Sequence, residues 1–399
     1  MPPLALPPNL LILAVLLSSL VFVTACSAPQ DSAVANTKLS GSQLAPASDI
    51  EFDAELGESP WPEEGATTLA ITESIQQTIK SRYANDLPAL RHVHSKAHGC
   101  VLADFQVNKT LQNEHQQGIF QPGASYKAWI RFSNGDSDAT REDKEGDGRG
   151  MAIKLMGVSG EKLLPDESHT QDFVMINHPV FFINDPQKYL SLIESLSSSN
   201  MLARLSAPFA LGIEGSIIAA KINGKKIRNP LYTRYWSMVP YQLGTGSNRS
   251  AMKYSAKPCN QLDNTPQSDQ LQDPNYLRTA MKNHLDTDAA CFDFLIQTRD
   301  TRTAAGSALS VEMATNEWEE SAAPFFKVAT ITIPKQDFDK PEQHKFCENL
   351  SYTPWHSVFE HRPLGGVNRI RKVVYTSTAN LRRSMNAVTP TEPAGNEVF

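Results

Sequence analysis

This chain has no CxxC pair and no zinc-like cysteine spacing, so a structural zinc site built on cysteine is excluded. It has no phosphate-cradling glycine-rich motif, and so offers no nucleotide site of that kind; NADPH binding is left undecided. No internal repeat is present. Twenty-six prolines among 399 residues break the chain too often for a long helical array. Excess positive charge is missing as well, with 37 Lys+Arg against 43 Asp+Glu and a net charge of −6, which argues against nucleic acid as a partner.

What is present is globular composition, 40% hydrophobic and 20% charged, enough to bury a large core. The one long apolar run lies near the start, Leu10 to Val23, followed by Thr24, Ala25 and Cys26. It is short for a membrane span and reads as a secretory signal. Val23-Thr24-Ala25-Cys26 resembles the bacterial lipobox, which implies a signal peptide over residues 1–25, cleavage before Cys26 and lipidation of that thiol. No Lys or Arg precedes the run, which departs from the usual signal, and an uncleaved anchor is the other reading. Either version exports the protein to the bacterial cell envelope, periplasmic and anchored to a membrane. Residues 26–66, rich in Ser, Pro, Ala, Asp and Glu, are expected to form a disordered linker. The remaining cysteines, Cys100, Cys259, Cys291 and Cys347, are expected to be mostly buried thiols, with room for one disulfide and no indication of its pairing.

Periodicity predicts a helix over Thr67–Tyr83, with Leu69, Ile71, Ile75 and Ile79 near helical spacing, and strands over Cys100–Val107 and Tyr126–Asn134. In the second strand Tyr126, Ala128, Ile130 and Phe132 alternate with Lys127, Trp129, Arg131 and Ser133. Further on, Asp185–Ser197, Met201–Lys221 and Asn275–Leu285 read as helices, and Cys291–Gln297 and Phe326–Ile333 as strands. The aromatic stretch Tyr232–Tyr241 reads as irregular and Gly244–Ser250 as a loop. Strands separated by long connections suit an α+β fold, a closed antiparallel β-barrel with helices laid outside.

Near the C-terminus, Pro363-Leu-Gly-Gly breaks the preceding structure, and the chain then runs to Arg383 without Gly or Pro, long enough for several helical turns. Arg371 and Tyr375 lie four apart and share one face. A guanidinium beside a phenol favours the phenolate, a group that otherwise ionises near pH ~10, and a phenolate is a ligand for ferric iron. Upstream, His92, His94 and His98 allow three readings on physics alone: a metal cluster, a single proton-moving base at His94, or buried structural histidines. His356 and His361, near Trp355, are expected to be solvent-facing or structural.

Taken together, Arg91-x-x-His94-x-Lys96, Arg131-Phe132-Ser133, Asp147-Gly-Arg149-Gly150, Asn177-x-Pro179-x-Phe181-Phe182 and Arg371-x-x-x-Tyr375 resemble the haem catalases in order and approximate spacing. The resemblance covers about Leu90 to Arg383, and is to the short catalase-related branch without the helical C-terminal part of the full enzymes. It implies a catalase-like haem domain over 67–385, a tail over 386–399, and a ferric haem b as cofactor. It puts His94 on the distal catalytic histidine and Ser133 on the serine that orients it. Tyr375 falls on the proximal iron ligand, with Arg371 as its stabilising partner. Arg91 and Arg131 fall on the arginines that meet the haem propionates, Val93 and Phe181 on the distal lining, and Tyr189 on a residue stacked against the haem.

The implied activity is haem-dependent hydroperoxidase action on hydrogen peroxide or organic hydroperoxides, with His94 moving the proton and an anionic Tyr375 favouring O–O cleavage. Two alternatives stand beside it, a haem isomerase of fatty-acid hydroperoxides and a non-catalytic haem carrier or sensor. A carrier does not need an oriented distal base. One departure concerns the distal asparagine, whose position is Ile176 here. Asn177 follows one residue later and enters the catalytic set only through a local shift, because one step along an extended segment reverses the side chain. Ile176 suits a bulkier or more apolar peroxide. The implied partners are a hydroperoxide and the membrane, with no nucleic acid; a homo-oligomer is compatible with the sequence.

Overall fold

The computed structural model describes residues 51–198 and 200–399. The signal segment, Cys26 and residues 27–50 of the linker lie outside them. Nine strands form one antiparallel sheet: β1 Ala97–Val107, β2 Ser125–Asn134, β3 Arg149–Met156, β4 Thr170–Ile176, β5 Tyr235–Trp236, β6 Tyr241–Leu243, β7 Ser250–Pro258, β8 Ala290–Thr298 and β9 Phe325–Ile333. β1 pairs with both β2 and β9. β5 pairs with β4 through Ile176–Trp236 and with β7 through Tyr235–Ala256. The ring β1-β2-β3-β4-β5-β7-β8-β9 is therefore a closed eight-stranded barrel, with β6 appended to β7. Its interior is apolar and aromatic: Ala128, Ile130 and Phe132 of β2 point inward, and Phe294 meets Phe105 and Phe173 at ring-centroid distances of 5.1 and 4.8 Å.

Helices lie outside: α1 Glu64–Arg82, α2 Pro186–Ser197, α3 Met201–Leu205, α4 Ala207–Asn223, α5 Tyr276–Thr287, α6 Pro341–Asn349 and α7 Gly366–Met385. α5 buries Leu277, Met281 and Leu285, one residue per turn. Asp185 caps α2 by accepting from the Gln187 backbone N–H at 2.8 Å, and Pro186 opens the helix.

Several expectations change. The single helix read over Met201–Lys221 is two, separated at Ser206, and α4 bends at Gly212 (φ 66°). The aromatic stretch Tyr232–Tyr241 contains β5, the strand that closes the barrel. β3, β4 and β7 do not stand out in the sequence. In β3 and β4 the alternation is masked, because Lys154 of β3 and Asp172 of β4 are paired across the ladder, wholly buried and salt-bridged at 2.7 Å. Both cysteine pairs are joined, Cys100–Cys347 and Cys259–Cys291, where one disulfide at most was expected. The first ties β1 to α6 over 247 residues of separation, which spacing alone does not reveal.

The linker boundary moves too. Residues 51–66 are not a free tether, since Leu56 and Glu58 are buried and α1 begins at Glu64. The reason is electrostatic. Arg369 of α7 binds Glu58 at 2.8 Å, Glu64 at 2.7 Å and Glu312 at 2.8 Å, and Arg362 adds a second guanidinium to Glu58 at 2.7 Å. A short acidic segment thus docks against the start of the last helix. Removing one partner of such a buried network leaves charge unpaired, so Arg369→Met is expected to cost about 3–5 kcal/mol of stability, read as a lower midpoint in urea unfolding.

Candidate functional site

Gly365 (φ 83°) immediately precedes α7, and a Cβ there would lie 2.3 Å from the Val311 carbonyl oxygen, so only glycine fits. The helix then presents Arg371, buried, and Tyr375, half-buried, on one face. The Arg371 guanidinium carbon sits 5.9 Å from the Tyr375 ring centroid and 5.6 Å from that of Phe181. Arg371 also donates to Asn368 Oδ1 at 3.4 Å. Burial alone would push the Arg371 guanidinium down; the hydroxyls of Tyr375, Tyr241, Tyr254 and Tyr189 outweigh it and push it up. Tyr189 of α2 lies near Phe181, with ring centroids 6.3 Å apart. Burial, reinforced by Tyr375, raises its hydroxyl to about 12. Arg371, Tyr375, Phe181 and Tyr189 are therefore one group.

His94 precedes β1 and adopts φ 58°, a left-handed conformation uncommon for a residue with a side chain. Its backbone N–H bonds the Gly135 carbonyl at 3.1 Å, and its Nδ1 lies 3.0 Å from Ser133 Oγ. Gly150 of β3 is paired with Ser133 across the ladder. A Cβ at Gly150 would lie 2.6 Å from His94 Nδ1 and 2.8 Å from Ser133 Oγ, so the ring rests against bare backbone. Burial, with the charges of Arg131, Arg371 and Arg91, pushes His94 down from 6.5 to about 4. The imidazole is neutral at pH 7. The unfolded chain takes up this proton more readily, so His94's contribution to stability is lost as pH falls from 6.5 towards 4. The charge of Arg371 on α7 thus reaches the His94 imidazole. Val93, 45% exposed, opens beside it.

The ladder also decides between Ile176 and Asn177. Ser133, Gly150 and Ile176 are directly opposed across β2, β3 and β4, hence on one face. Ile176 packs there against Val180, Ile218 and Ile222. Asn177 belongs to the next row, with Asn134 and Arg149: its Oδ1 accepts from the Arg149 backbone N–H at 2.8 Å, and its own N–H donates to the Arg149 carbonyl at 2.9 Å. The local shift that would bring Asn177 into the catalytic set does not occur. Arg149 itself is buried beside Asn134 and donates to the Asp143 carbonyl at 3.0 Å.

Arg91 and Arg131 converge, but on a carboxylate of the chain. Glu348 of α6 meets Arg91 at 2.6 Å, Arg131 at 3.5 Å and Arg382 of α7 at 3.4 Å. Burial would raise the Glu348 carboxyl, and the three guanidiniums instead hold it low. One carboxylate leaves the cluster with two uncompensated positive charges. The stress shows on the arginines: burial and the Arg91 charge push Arg131 down to about 10 and Arg382 to about 9. Nε of Arg131 is buried without a hydrogen-bond partner. A doubly anionic group such as a haem dicarboxylate fits that surplus. Sequence reasoning missed Arg382. The available signal was its place seven residues after Tyr375, two turns along the same helix face.

His92 and His98 do not join His94. His98 is buried on Asn134, Nε2 to Oδ1 2.8 Å. His356 and His361 are both buried, so the solvent-facing reading fails for each. Glu167, Asp172 and His356 are spaced like metal ligands. The Lys154 ammonium is already among them as the cation, bonded to Glu167 and Asp172.

Gly150→Ala is expected to separate His94 from Ser133 without unfolding the barrel. A misplacement of this order costs about a hundredfold in the rate of any proton transfer that His94 performs, while the circular dichroism spectrum is retained.

The sequence model of the family described as Catalase matches residues 62–203. Catalase A of Pseudomonas putida is 31% identical over 106 residues, 26% of this chain and 20% of that protein, so the matched part spans about a fifth of its relative. Among solved structures, a fungal catalase superposes with a TM-score of 0.61 at 16% identity, covering 80% of this chain and 65% of that one. Catalase A from Saccharomyces cerevisiae gives 0.56 at 18% identity, covering 79% and 68%, and a bacterial catalase gives 0.60 at 16%, covering 80% and 62%. The closed barrel with its surrounding helices is the catalase fold.

Proposed function

We propose that this chain is a member of the catalase superfamily that binds haem b and decomposes hydroperoxides, in an exported protein lipidated at Cys26. The observation that carries the reading is the His94–Ser133 pair held over Gly150, together with the Arg371–Tyr375 pair on one face of α7. Tyr375, with Arg371, would hold the iron. Arg91, Arg131 and Arg382 would meet the two acid groups of the macrocycle, and Val93, Phe181 and Tyr189 would line its faces. Bound haem supplies the redox chemistry of O–O cleavage.

The protein's own part is proton traffic. With Nδ1–H donating to Ser133 Oγ, Nε2 of neutral His94 keeps its lone pair, takes the proton of the hydroperoxide and returns it to the departing oxygen. With hydrogen peroxide, a second molecule is the reductant, and two peroxides yield two waters and one dioxygen. Replacing Tyr375 by Phe removes the anionic ligand. The expected result is loss of the tyrosinate–haem absorbance and of turnover, and an unchanged spectrum would refute the assignment.

Ile176 supports a preference among peroxides. Facing Ser133 and Gly150, it gives hydrogen peroxide no hydrogen-bond partner where a bulkier organic peroxide meets an apolar wall. One such bond is worth about 0.5–1.5 kcal/mol, or up to roughly tenfold in rate. Ile176→Asn is therefore expected to raise oxygen evolution from hydrogen peroxide several-fold without increasing turnover of cumene hydroperoxide, both followed in the same preparation.

A further inference from the structure

The segment from Leu196 to Ile217 contains only two ionisable residues, Arg204 and Glu214. Its large apolar side chains face outward. Phe209 is 85% exposed, Ile213 84%, Leu202 75% and Met201 68%, with Ile217 exposed beside them. Single exposed apolar residues are ordinary; a contiguous set marks a contact surface. The same helix, α4, has an inner face: Ile218 and Ile222 pack on Val180, Phe182 and Ile176. Gly215 presses so closely that a Cβ would lie 2.5 Å from the Phe182 carbonyl oxygen. One helix thus carries an apolar outer surface on one side and the wall beneath Ile176 on the other.

We propose that this surface docks on a lipid bilayer, and that hydroperoxides formed in the membrane are the substrates it delivers. The second clause rests on the hydroperoxidase reading above. Two observations favour the bilayer over other occupants. Exposed Lys221 in α4 and Lys226 just after it suit anionic headgroups. Finally, the described structure begins at residue 51, downstream of the apolar run Leu10–Val23 and Cys26. The lipid anchor proposed at Cys26 would leave residues 27–50 as connection, whose fully extended length is about 80 Å. That keeps the domain at high effective concentration against the bilayer, so a modest apolar patch suffices for docking.

The test uses the full-length haem-loaded chain and phosphatidylcholine–phosphatidylglycerol vesicles with brominated acyl chains. Tryptophan emission from Ile213→Trp, taken as the difference from the native protein, is expected to shift to the blue and be quenched several-fold more than that of Leu262→Trp, an exposed control site. Equal quenching at the two sites on vesicles that sediment with the protein would overturn the docking. So would a dimer in sedimentation velocity that Ile213→Gln dissociates, because a second copy would then cover the surface. For delivery, the triple variant Phe209→Gln, Ile213→Gln, Ile217→Gln is expected to lose at least tenfold in consumption of vesicle-borne lipid hydroperoxide, with guaiacol supplying the two electrons. Its consumption of cumene hydroperoxide in buffer stays at the native rate. Retained activity on vesicles would overturn delivery. If the native protein consumes neither peroxide, the hydroperoxidase reading and delivery both fall, while quenching still decides the docking.

Discussion

The arginine at the root of the last helix holds the structure in register. Arg369 gathers Glu58, Glu64 and Glu312 from two distant parts of the chain onto the first turn of α7. A guanidinium has five donors in a rigid fork and stays charged, so it can satisfy several carboxylates at once where a lysine would satisfy fewer. Two residues later comes Arg371 and six later Tyr375. The clamp therefore sets the height and rotation of the helix that carries Arg371 and Tyr375, and also the position of Arg382, two turns beyond Tyr375.

The site itself is shaped by sheet register. Ser133, Gly150 and Ile176 fall on one row and Asn134, Arg149 and Asn177 on the next. The pleat sends the two rows to opposite faces, so Ile176 and Asn177, adjacent in sequence, belong to different chemical environments. One is part of the wall beside His94. The other stitches the backbone of β3 into a buried polar layer. The strained backbone of His94 and the bare backbone at Gly150 are the local costs of seating the imidazole against Ser133.

Charge is distributed unevenly in the interior, and the unevenness separates one buried ionic cluster from another. Around Lys154 the ions nearly balance: Asp166, Glu167 and Asp172 face one ammonium and His356. Burial and the Lys154 charge push His356 down, yet its carboxylate neighbours prevail and raise it to about 8. Around Glu348 they do not balance, with three arginines against one carboxylate. The first is a closed network, and the second keeps a surplus of positive charge.

Much of this was legible in the residues. The helix spacing of Arg371 and Tyr375, the alternation of β2, the helical period of α1 and the order of five short motifs are local properties, carried by neighbours along the chain. The closed barrel followed from them as an expectation. What the sequence could not decide were relations between distant residues: which cysteines join, that Glu348 enters the arginine cluster, that Arg382 completes it, and that residues 51–66 dock rather than drift. β3 and β4 stayed hidden for a related reason. Lys154 and Asp172 look solvent-seeking one at a time, and only when the strands pair do they neutralise each other enough to be buried. Local pattern is written by the period of helix and strand, whereas charge compensation and register depend on which segments meet, and only the folded chain brings them together.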